Sequence, residues 1–266
     1  MTLGFSVETL LPHARVSGPL RMGLLRLAQS EWLDPAPDLA ARDAAFDAHP
    51  ESVQVLPEGE APGRELAQML GADSLEQAAR THCEDFCLLT QDATSQPYRL
   101  IAAAVAFPTD WHLSEKIGKP LHAVHEPIHG YAEQLSDGVD RFMDKLRSDE
   151  IYGRTNMFVM PSGEPRYMPS LPAEERYTHV TPDNAGSVLF ARCERETLRR
   201  LPETGAIVFT IGVYRTSLDS LSDESLECIA SSVGAMLDGE EARRGAPAYA
   251  QALTGYAAAR NQSRAA

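Results

Sequence analysis

Cysteine is scarce in this chain, and its few cysteines stand apart from one another. The 266 residues include four cysteines, and none forms a C-x-x-C pair or the C-x-x-C-H sequence that attaches haem covalently. The sequence therefore indicates neither a zinc knuckle nor an iron–sulfur cluster held by four cysteines. We interpret all four as reduced, buried, small hydrophobic side chains. They are Cys83, Cys87, Cys193 and Cys228.

Long hydrophobic runs are also missing. The longest apolar stretch, residues 100–107, is far too short to span a bilayer. The first sixteen residues contain Glu8 and no sustained apolar region, so they do not resemble a secretory signal. We therefore expect a soluble, cytoplasmic protein with no membrane partner.

Basic residues are fewer than acidic residues. Lysine and arginine number 24 against 38 aspartates and glutamates, which gives a formal net charge of −14. This balance repels phosphate backbones and argues against a nucleic-acid partner, while an electropositive protein partner stays open. With 43% hydrophobic and 23% charged residues, the composition is typical of a folded globular chain.

Hydrophobic periodicity predicts a mixture of strands and helices. We expect one domain over residues 1–266, made of an N-terminal extension (1–60), a core (61–218) and C-terminal helices (219–266). The predicted strands cover residues 86–90, 98–107, 151–160, 187–197 and 206–214. The predicted helices cover residues 37–48, 66–70, 74–79, 110–117, 131–146 and 226–236. Strands in hairpins with one helical excursion between them indicate the α+β class with an antiparallel sheet.

Residues 121–131 read LHAVHEPIHGY and match a metal-binding pattern. His125, Glu126 and His129 satisfy H-E-x-x-H, in which both histidines bind zinc from one helical face. Pro127 argues against that geometry, because proline lacks an N–H and pushes the preceding residue towards extended backbone. If a helix opens at Pro127, His125 lies outside it. We interpret the zinc match as accidental, and expect the segment to serve a metal or haem iron in another way.

Residues 192–214 hold a second unusual feature, because four arginines stand within nine positions of an otherwise acidic chain. They are Arg192, Arg195, Arg199 and Arg200. On a strand, successive side chains point to opposite faces, so these arginines need not converge. The pattern permits either an anion site or surface salt bridges.

Several separated blocks together resemble the haem-dependent oxidative N-demethylase family, whose catalytic subunit is similar to the dimethylamine monooxygenase subunit. The first blocks are Arg21-Met22-Gly23-Leu24, Glu31-Trp32-Leu33, Glu84-Asp85 with Leu88-Leu89, and Tyr98-Arg99-Leu100 running into FPTDWHLSEKIGKPLHAVHEPIHGY. The later blocks are Arg154-x-Asn156, Arg192-x-Glu194-Arg195-x-Thr197-Leu198-Arg199-Arg200-Leu201-Pro202, and Ala206-Ile207-x-Phe209-Thr210-Ile211. The resemblance covers residues 19–218 and implies a PAS-like antiparallel sheet for the core. It also implies non-covalent haem b, with dioxygen used to remove a methyl group from a small amine.

The resemblance implies a role for one histidine in particular. The histidine of the family's H-x-P-V-P-G-Y block corresponds to His125, which we expect to be the axial ligand of the haem iron and to project from extended backbone into a cleft. His129 stands where the family has its second proline, and is either a further ligand or a hydrogen-bonding group. Of His122 and His112, we expect one to be a surface group or a neighbour of the site, and the other to be part of the short helix that precedes the site.

The other site residues also follow from the resemblance. Arg195 and Arg199, with Arg192, are candidates to hold the haem propionates, since arginine makes strong paired bonds to carboxylates. Glu194 is the family-matched carboxylate for a cationic amine, and Tyr131 would complete that pocket.

Two further positions depart from the family pattern. Met157 replaces a tryptophan, and Glu196 replaces a glutamine, so we expect the shape and charge of the pocket to differ.

Electrons must come from a partner, because the chain has no G-x-G-x-x-G between a strand and a helix. The resemblance implies a separate flavin and iron–sulfur reductase that takes electrons from NAD(P)H, and hence a hetero-oligomer. The acidic surface, including Asp137 and Asp144, is a candidate docking face. Two alternatives stay open: a non-catalytic haem-binding PAS-like sensor or carrier, and a zinc hydrolase with His179 or Glu164 as third ligand.

Overall fold

Eight strands form one sheet in this computed structural model, which describes residues 5–15, 20–34, 39–92, 96–128, 130–236 and 240–265. The strands are β1 Ala14–Arg15, β2 Leu25–Leu27, β3 Val53–Val55, β4 Glu84–Thr90, β5 Arg99–Ala104, β6 Ile151–Met160, β7 Phe190–Arg200 and β8 Ile207–Ser217. Their order in the sheet is β1-β6-β7-β8-β4-β5-β3, and β2 also pairs with β6. The α+β class is confirmed.

The sheet is mainly antiparallel, as predicted, with one exception. β2 with β6, β3 with β5, and β4 with both β5 and β8 are antiparallel pairs, whereas the short β1 runs parallel to β6. β6 keeps its predicted bounds, because the alternation of buried and half-buried residues continues over its whole length. β7 and β8 each extend three residues further towards their C-terminal ends than predicted.

Among the described residues, four helices have ten residues or more and the others are shorter. The helices are α1 Val7–Leu10, α2 Arg42–Ala48, α3 Glu60–Met69, α4 Leu75–Thr81, α5 Leu121–Val124, α6 Tyr131–Gln134, α7 Ser136–Lys145, α8 Ala173–Arg176, α9 Ala185–Val188, α10 Asp223–Gly234, α11 Glu240–Arg243 and α12 Ala246–Ala265. No helix among the described residues is long and apolar enough to cross a membrane.

Two predicted helices have a different form in the structure, whereas others differ only in their bounds. The helix predicted over residues 131–146 is divided into α6 and α7, because Leu135 has φ −118° and ψ −36° and leaves the helical path. The helix predicted over residues 110–117 is only a 3₁₀ turn, Leu113–Glu115. Asp110 has φ 57°, a left-handed conformation that cannot begin a right-handed helix.

The chain divides into two compact units. Of the described residues, those within 20–154 and 195–213 form the first unit, and those within 5–15, 155–194 and 214–265 form the second. Strands β6, β7 and β8 contribute residues to both units.

The first unit has two hydrophobic layers. The Trp32 layer joins α2, α3 and α4 to the sheet through Trp32, Phe46, Leu66, Leu75, Phe86, Leu88, Ile101 and Val213. The α7 layer joins α5 and α7 to the sheet through Cys87, Leu89, Leu113, Leu121, Met143, Leu146 and Leu198. Alternation along β4 places Phe86 in one layer and Cys87 in the other, so the layers lie on opposite faces of the sheet.

The second unit packs short helices and α12 around the remaining strand residues. Tyr177 donates from its hydroxyl to the Val159 carbonyl at 3.0 Å, and its ring lies 4.7 Å from that of Tyr249. Arg260 forms an ion pair with Asp223 at 2.8 Å, which ties α12 to α10.

Candidate functional site

His125 lies at the end of α5, where the helix stops. Its backbone has φ −98° and ψ 14°, so the extended conformation predicted for this histidine was wrong. The backbone N–H of His125 donates to the Leu121 carbonyl at 3.0 Å, and ring Nδ1 lies 2.9 Å from the same oxygen. Because a carbonyl only accepts hydrogen bonds, this contact assigns the ring proton to Nδ1. Nε2 then keeps its lone pair, and no described residue bonds to it.

The segment that carries His125 is fastened to β5 by backbone hydrogen bonds. Leu121 N–H donates to the Tyr98 carbonyl at 2.9 Å, and Gly118 N–H donates to the Leu100 carbonyl at 2.7 Å. Leu100 N–H donates in turn to the Lys119 carbonyl at 3.1 Å. The start of α5 is therefore held by the sheet, and His125 is positioned from that fixed point.

Tyr131 supports the imidazole ring from one side. The two rings are stacked, with centroids 4.3 Å apart and planes 14° apart. Burial lowers the pKa of His125 to about 4, and the positive charges of Arg154 and Lys116 lower it further, so the ring is neutral near pH 7. Burial also raises the pKa of Tyr131 to about 12, and the nearby Asp140 adds to the rise, so the phenol keeps its proton.

An ion pair on the neighbouring strands completes this group. Arg154 of β6 donates from Nε to Glu196 Oε2 of β7 at 2.5 Å. Arg154 acts electrostatically on both His125 and Tyr131, and Glu196 acts on Tyr131. The glutamate side chain is 9% exposed and the arginine side chain 27% exposed. We name these four residues the His125 cluster.

Sequence reasoning missed the place of Arg154 and Glu196 in this cluster. Arg154 was noted as part of a motif, and Glu196 only as a departure from the family pattern. The signal that could have found Arg154 is the alternation on β6, which puts it on the same face as Tyr152, a neighbour of the α7 layer.

Arg195 and Arg199 lie elsewhere. Both alternate with Glu196 along β7 and so point to the opposite face of the sheet, into the Trp32 layer. Arg195 donates to the carbonyls of Trp32, at 3.1 Å, and Glu31. The guanidinium of Arg199 stacks 4.3 Å from the centre of the Trp32 ring. These two arginines hold residues 31–34, which we name the Trp32 segment, against the sheet. The sheet separates both arginines from His125.

Arg192 and Glu194 belong to the second unit and bind each other. Arg192 Nε donates to Glu194 Oε1 at 3.0 Å, and its NH1 donates to the Pro165 carbonyl at 2.7 Å. Both residues are buried, with Arg192 only 2% exposed. Glu194 is thus an internal carboxylate whose charge is balanced by a neighbouring guanidinium.

A family model described as haem-dependent oxidative N-demethylase, alpha subunit-like, matches residues 63–252. The match covers more than half of the chain and includes the whole His125 cluster. The chain belongs to this family. The resemblance found in the sequence is therefore confirmed, and the family's description indicates a haem-dependent oxidoreductase that acts with other subunits.

The donor chemistry of the His125 cluster fits the haem of N-demethylases. An iron-binding imidazole is neutral, and its second nitrogen is commonly held by a backbone carbonyl, which fixes the ring and its tautomer. His125 meets both conditions through its burial and its contact with Leu121. Arg154 adds a partly exposed cation of the kind that binds carboxylates.

The other histidines near this segment are less informative about the site. His129 lies outside the described residues, and His112 and His122 are exposed. In the part of the chain that the structure describes, no three His, Cys, Asp or Glu residues are grouped so that they could hold a metal ion. His179 and Glu164, the candidate third ligands of the zinc-hydrolase alternative, lie in the second unit.

Glu84 is a buried carboxylate beside the Trp32 segment. It is 0% exposed, and Oε1 accepts the Asp34 N–H at 2.7 Å, while Oε2 has no hydrogen-bond partner among the described residues. Burial raises its pKa to about 7, although the bond from Asp34 and the charge of Arg195 act in the opposite direction. The family's Glu-Asp block thus contains a carboxyl group that takes up a proton near neutral pH.

We expect this group to make the stability of the protein depend on pH. The folded-state pKa lies above the ordinary value of 4.5, so the folded state binds the proton more tightly. The protonated Glu84 carboxyl group therefore makes its full contribution to the free energy of unfolding below pH 4.5. This contribution is lost as pH rises through about 7, and the free energy of unfolding falls by at most about 1.4 kcal/mol per pH unit. In urea unfolding, the free energy of unfolding of Glu84→Gln should no longer fall over this pH range. Glu203→Gln, which changes an exposed residue, should show the same pH dependence as the parent. Parallel curves for Glu84→Gln and parent would contradict the assignment.

Proposed function

We propose that this chain is the haem b-binding catalytic subunit of a monooxygenase that demethylates a small N-methylated amine such as dimethylamine. The products would be formaldehyde and the demethylated amine. The observation that carries the proposal is the His125 imidazole, whose Nδ1–H is held by Leu121 and whose Nε2 is left for iron, in a chain of the N-demethylase family.

His125 is the axial ligand in this proposal. Its neutral state, its contact with Leu121 and its stacking on Tyr131 all favour one fixed orientation of the ring. Haem, when bound, supplies the activation of dioxygen and the oxidation of the N-methyl group, while the protein supplies ligation, orientation and electrostatics.

Arg154 is the residue that we propose for a haem propionate. It replaces Arg195 and Arg199 in that role, because those two arginines are engaged by the Trp32 segment on the other face of the sheet. Glu196 balances the charge of Arg154 at a contact of 2.5 Å, so the pair brings little net charge to the cluster. A cationic amine would then approach without repulsion.

Glu194 remains the proposed carboxylate for the amine, which is a cation at neutral pH. Arg192 already balances this carboxylate through its Nε contact at 3.0 Å, so the ammonium group of the amine would share the carboxylate with that guanidinium. Tyr131 keeps its proton and can therefore donate a hydrogen bond beside His125. The overall reaction takes up dioxygen, two electrons and two protons. Collapse of the hydroxylated methyl group then gives formaldehyde, and the second oxygen atom leaves as water.

The electrons would come from NAD(P)H through a partner reductase that contains flavin and an iron–sulfur centre. The alpha-subunit description of the family supports a multi-subunit arrangement. Among the acidic residues of α7, Asp137 is 90% exposed and available to a basic partner, whereas Asp144 accepts hydrogen bonds from Gln91 and Tyr98. We also propose that residues 61–218 form a PAS-like core and that the whole chain works as one domain in the cytoplasm.

The first test is spectroscopic. Protein purified with haem supplied should show a Soret band in the ferric and ferrous states, and the ferric band should shift when dimethylamine is added. With an electron source and dioxygen, formaldehyde and methylamine should form in equal amounts. A spectrum with no Soret band would overturn the proposal, and a six-coordinate spectrum with two histidines and no turnover would favour a sensor or carrier.

Glu194→Gln should separate amine binding from haem binding. The substitution keeps the shape of the side chain and removes its charge, so we expect full haem occupancy and amine affinity weakened by about ten- to a hundredfold, the range of a lost charged contact. Glu203→Gln is the matched control, because it removes an exposed carboxylate that lies outside the His125 cluster and makes no contact with Glu194. The measurement is the amine-induced shift of the Soret band. Equal weakening of amine binding in both variants would contradict the proposed role of Glu194.

A further inference from the structure

Lys116 lies beside the peptide that leads into His125. Its Nζ donates to the Val124 carbonyl at 2.8 Å, and the side chain is half-buried. Val124 is the last residue of α5, and the carbonyls of a last turn have no partner within the helix. A cation at this end also interacts favourably with the partial negative charge of the terminal carbonyls.

The contact fixes the peptide plane between Val124 and His125. The carbonyl carbon of Val124 is bonded directly to the backbone nitrogen of His125, so the ammonium group restrains rotation at that link. The Leu121 carbonyl restrains the same residue from inside the helix through both the backbone N–H and Nδ1. His125 is therefore held at two consecutive points, one on its own ring and one on the preceding carbonyl.

Lys116 is itself held firmly enough to act as a support. Its backbone N–H donates to the Leu113 carbonyl at 2.9 Å, and its own carbonyl accepts the Lys119 N–H at 3.1 Å. The next residues join β5 through the bond from Gly118 to Leu100. The ammonium group thus connects the segment that is bonded to β5 with the last carbonyl of α5. It also acts electrostatically on the imidazole of His125.

We propose that Lys116 is a positioning residue for His125, which orients the imidazole through the Val124 carbonyl and places a positive charge next to the iron ligand. This inference rests on the proposed role of His125. Two consequences follow. Loss of the hydrogen bond frees the His125 peptide, and loss of the charge stabilises the ferric state, because a neighbouring cation opposes the extra positive charge of oxidised iron.

Three variants separate these effects. Lys116→Met removes both the bond and the charge, Lys116→Gln keeps a donor without the charge, and Lys116→Arg keeps both. Lys119→Met is the matched control, since it removes a nearby exposed lysine whose side chain has no hydrogen bond to a described residue.

The first readout needs no haem: proton exchange at His125 Nδ1 in the haem-free protein, followed by nitrogen-15 NMR. We expect exchange to rise several-fold in Lys116→Met, and to stay near the parent rate in Lys116→Arg and Lys119→Met. In the haem-loaded protein, Lys116→Met should release haem about ten times faster. This is the size of effect that follows when a residue that supports a metal ligand is removed. The reduction potential should fall in Lys116→Met and Lys116→Gln and stay near the parent value in Lys116→Arg.

Unchanged exchange, haem release and potential in Lys116→Met would overturn the inference. The same changes in Lys119→Met would also overturn it, because they would reflect general charge. If Lys116→Met does not fold, Lys116→Gln decides the question through the potential alone. His125→Ala is measured in parallel: a normal haem spectrum there means that the proposed ligand is wrong, whereas loss of haem there with no effect at Lys116 means that only this inference fails.

Discussion

Replacing His125 by alanine should leave the protein folded and unable to hold haem in its normal state. The side chain is half-buried, and the only partner that the described residues give its ring nitrogens is the Leu121 carbonyl, so its loss leaves few groups unsatisfied. Loss of residues that merely support a metal ligand costs about 10- to 100-fold in affinity, and loss of the ligand itself should exceed about 100-fold. The measurement is the Soret spectrum and haem content after purification with haem supplied.

Two controls make the His125→Ala result specific. His122→Ala removes an exposed histidine from the same helix and should keep the parent spectrum. Added imidazole should restore part of the Soret band in His125→Ala, because the truncated side chain leaves space beside Tyr131 for a free ring. His129→Ala should leave haem bound. A parent-like spectrum in His125→Ala, with the parent's circular dichroism, would contradict the ligand assignment.

The largest loss of stability is expected for Arg42→Ala. Arg42 is 0% exposed and pairs with the Asp85 carboxylate at 2.8 Å, and its other N–H groups donate to the carbonyls of Ala79, Cys83 and Glu84. Removing one member of a buried ion pair leaves the other charge uncompensated, which costs about 3–5 kcal/mol. Urea unfolding followed by tryptophan fluorescence and circular dichroism would measure the change.

The control for Arg42 is Arg141→Ala on α7. Arg141 is 69% exposed and lies 3.9 Å from Asp137 one helical turn away, an arrangement worth less than about 0.5 kcal/mol. Asp85→Asn should lie between the two variants, since the amide oxygen can still accept the N–H of Ala106, which now bonds Oδ1. A loss below about 1 kcal/mol in Arg42→Ala would show that the network rearranges around the missing side chain.

Local patterns predicted the sheet better than the helical segment around the site. The strand over residues 151–160 was predicted with its correct bounds, because alternation is a property of consecutive residues. The break between α6 and α7 was missed, since Tyr131, Leu135, Val139 and Met143 keep helical spacing across it. Periodicity reports which side chains face the core, and it does not report a change in backbone direction at Leu135.

The sequence by itself determined the family, the α+β class, the His125 segment and the alternation of residues along β7. Each of these is carried by residue order or by the spacing of neighbours, which the chain holds before it folds. Only the tertiary structure decided that Arg154 and Glu196 join His125, whereas Arg195 and Arg199 hold the Trp32 segment. Alternation assigns neighbouring residues to opposite faces of a strand, but which face meets α7 depends on how distant segments pack against the sheet.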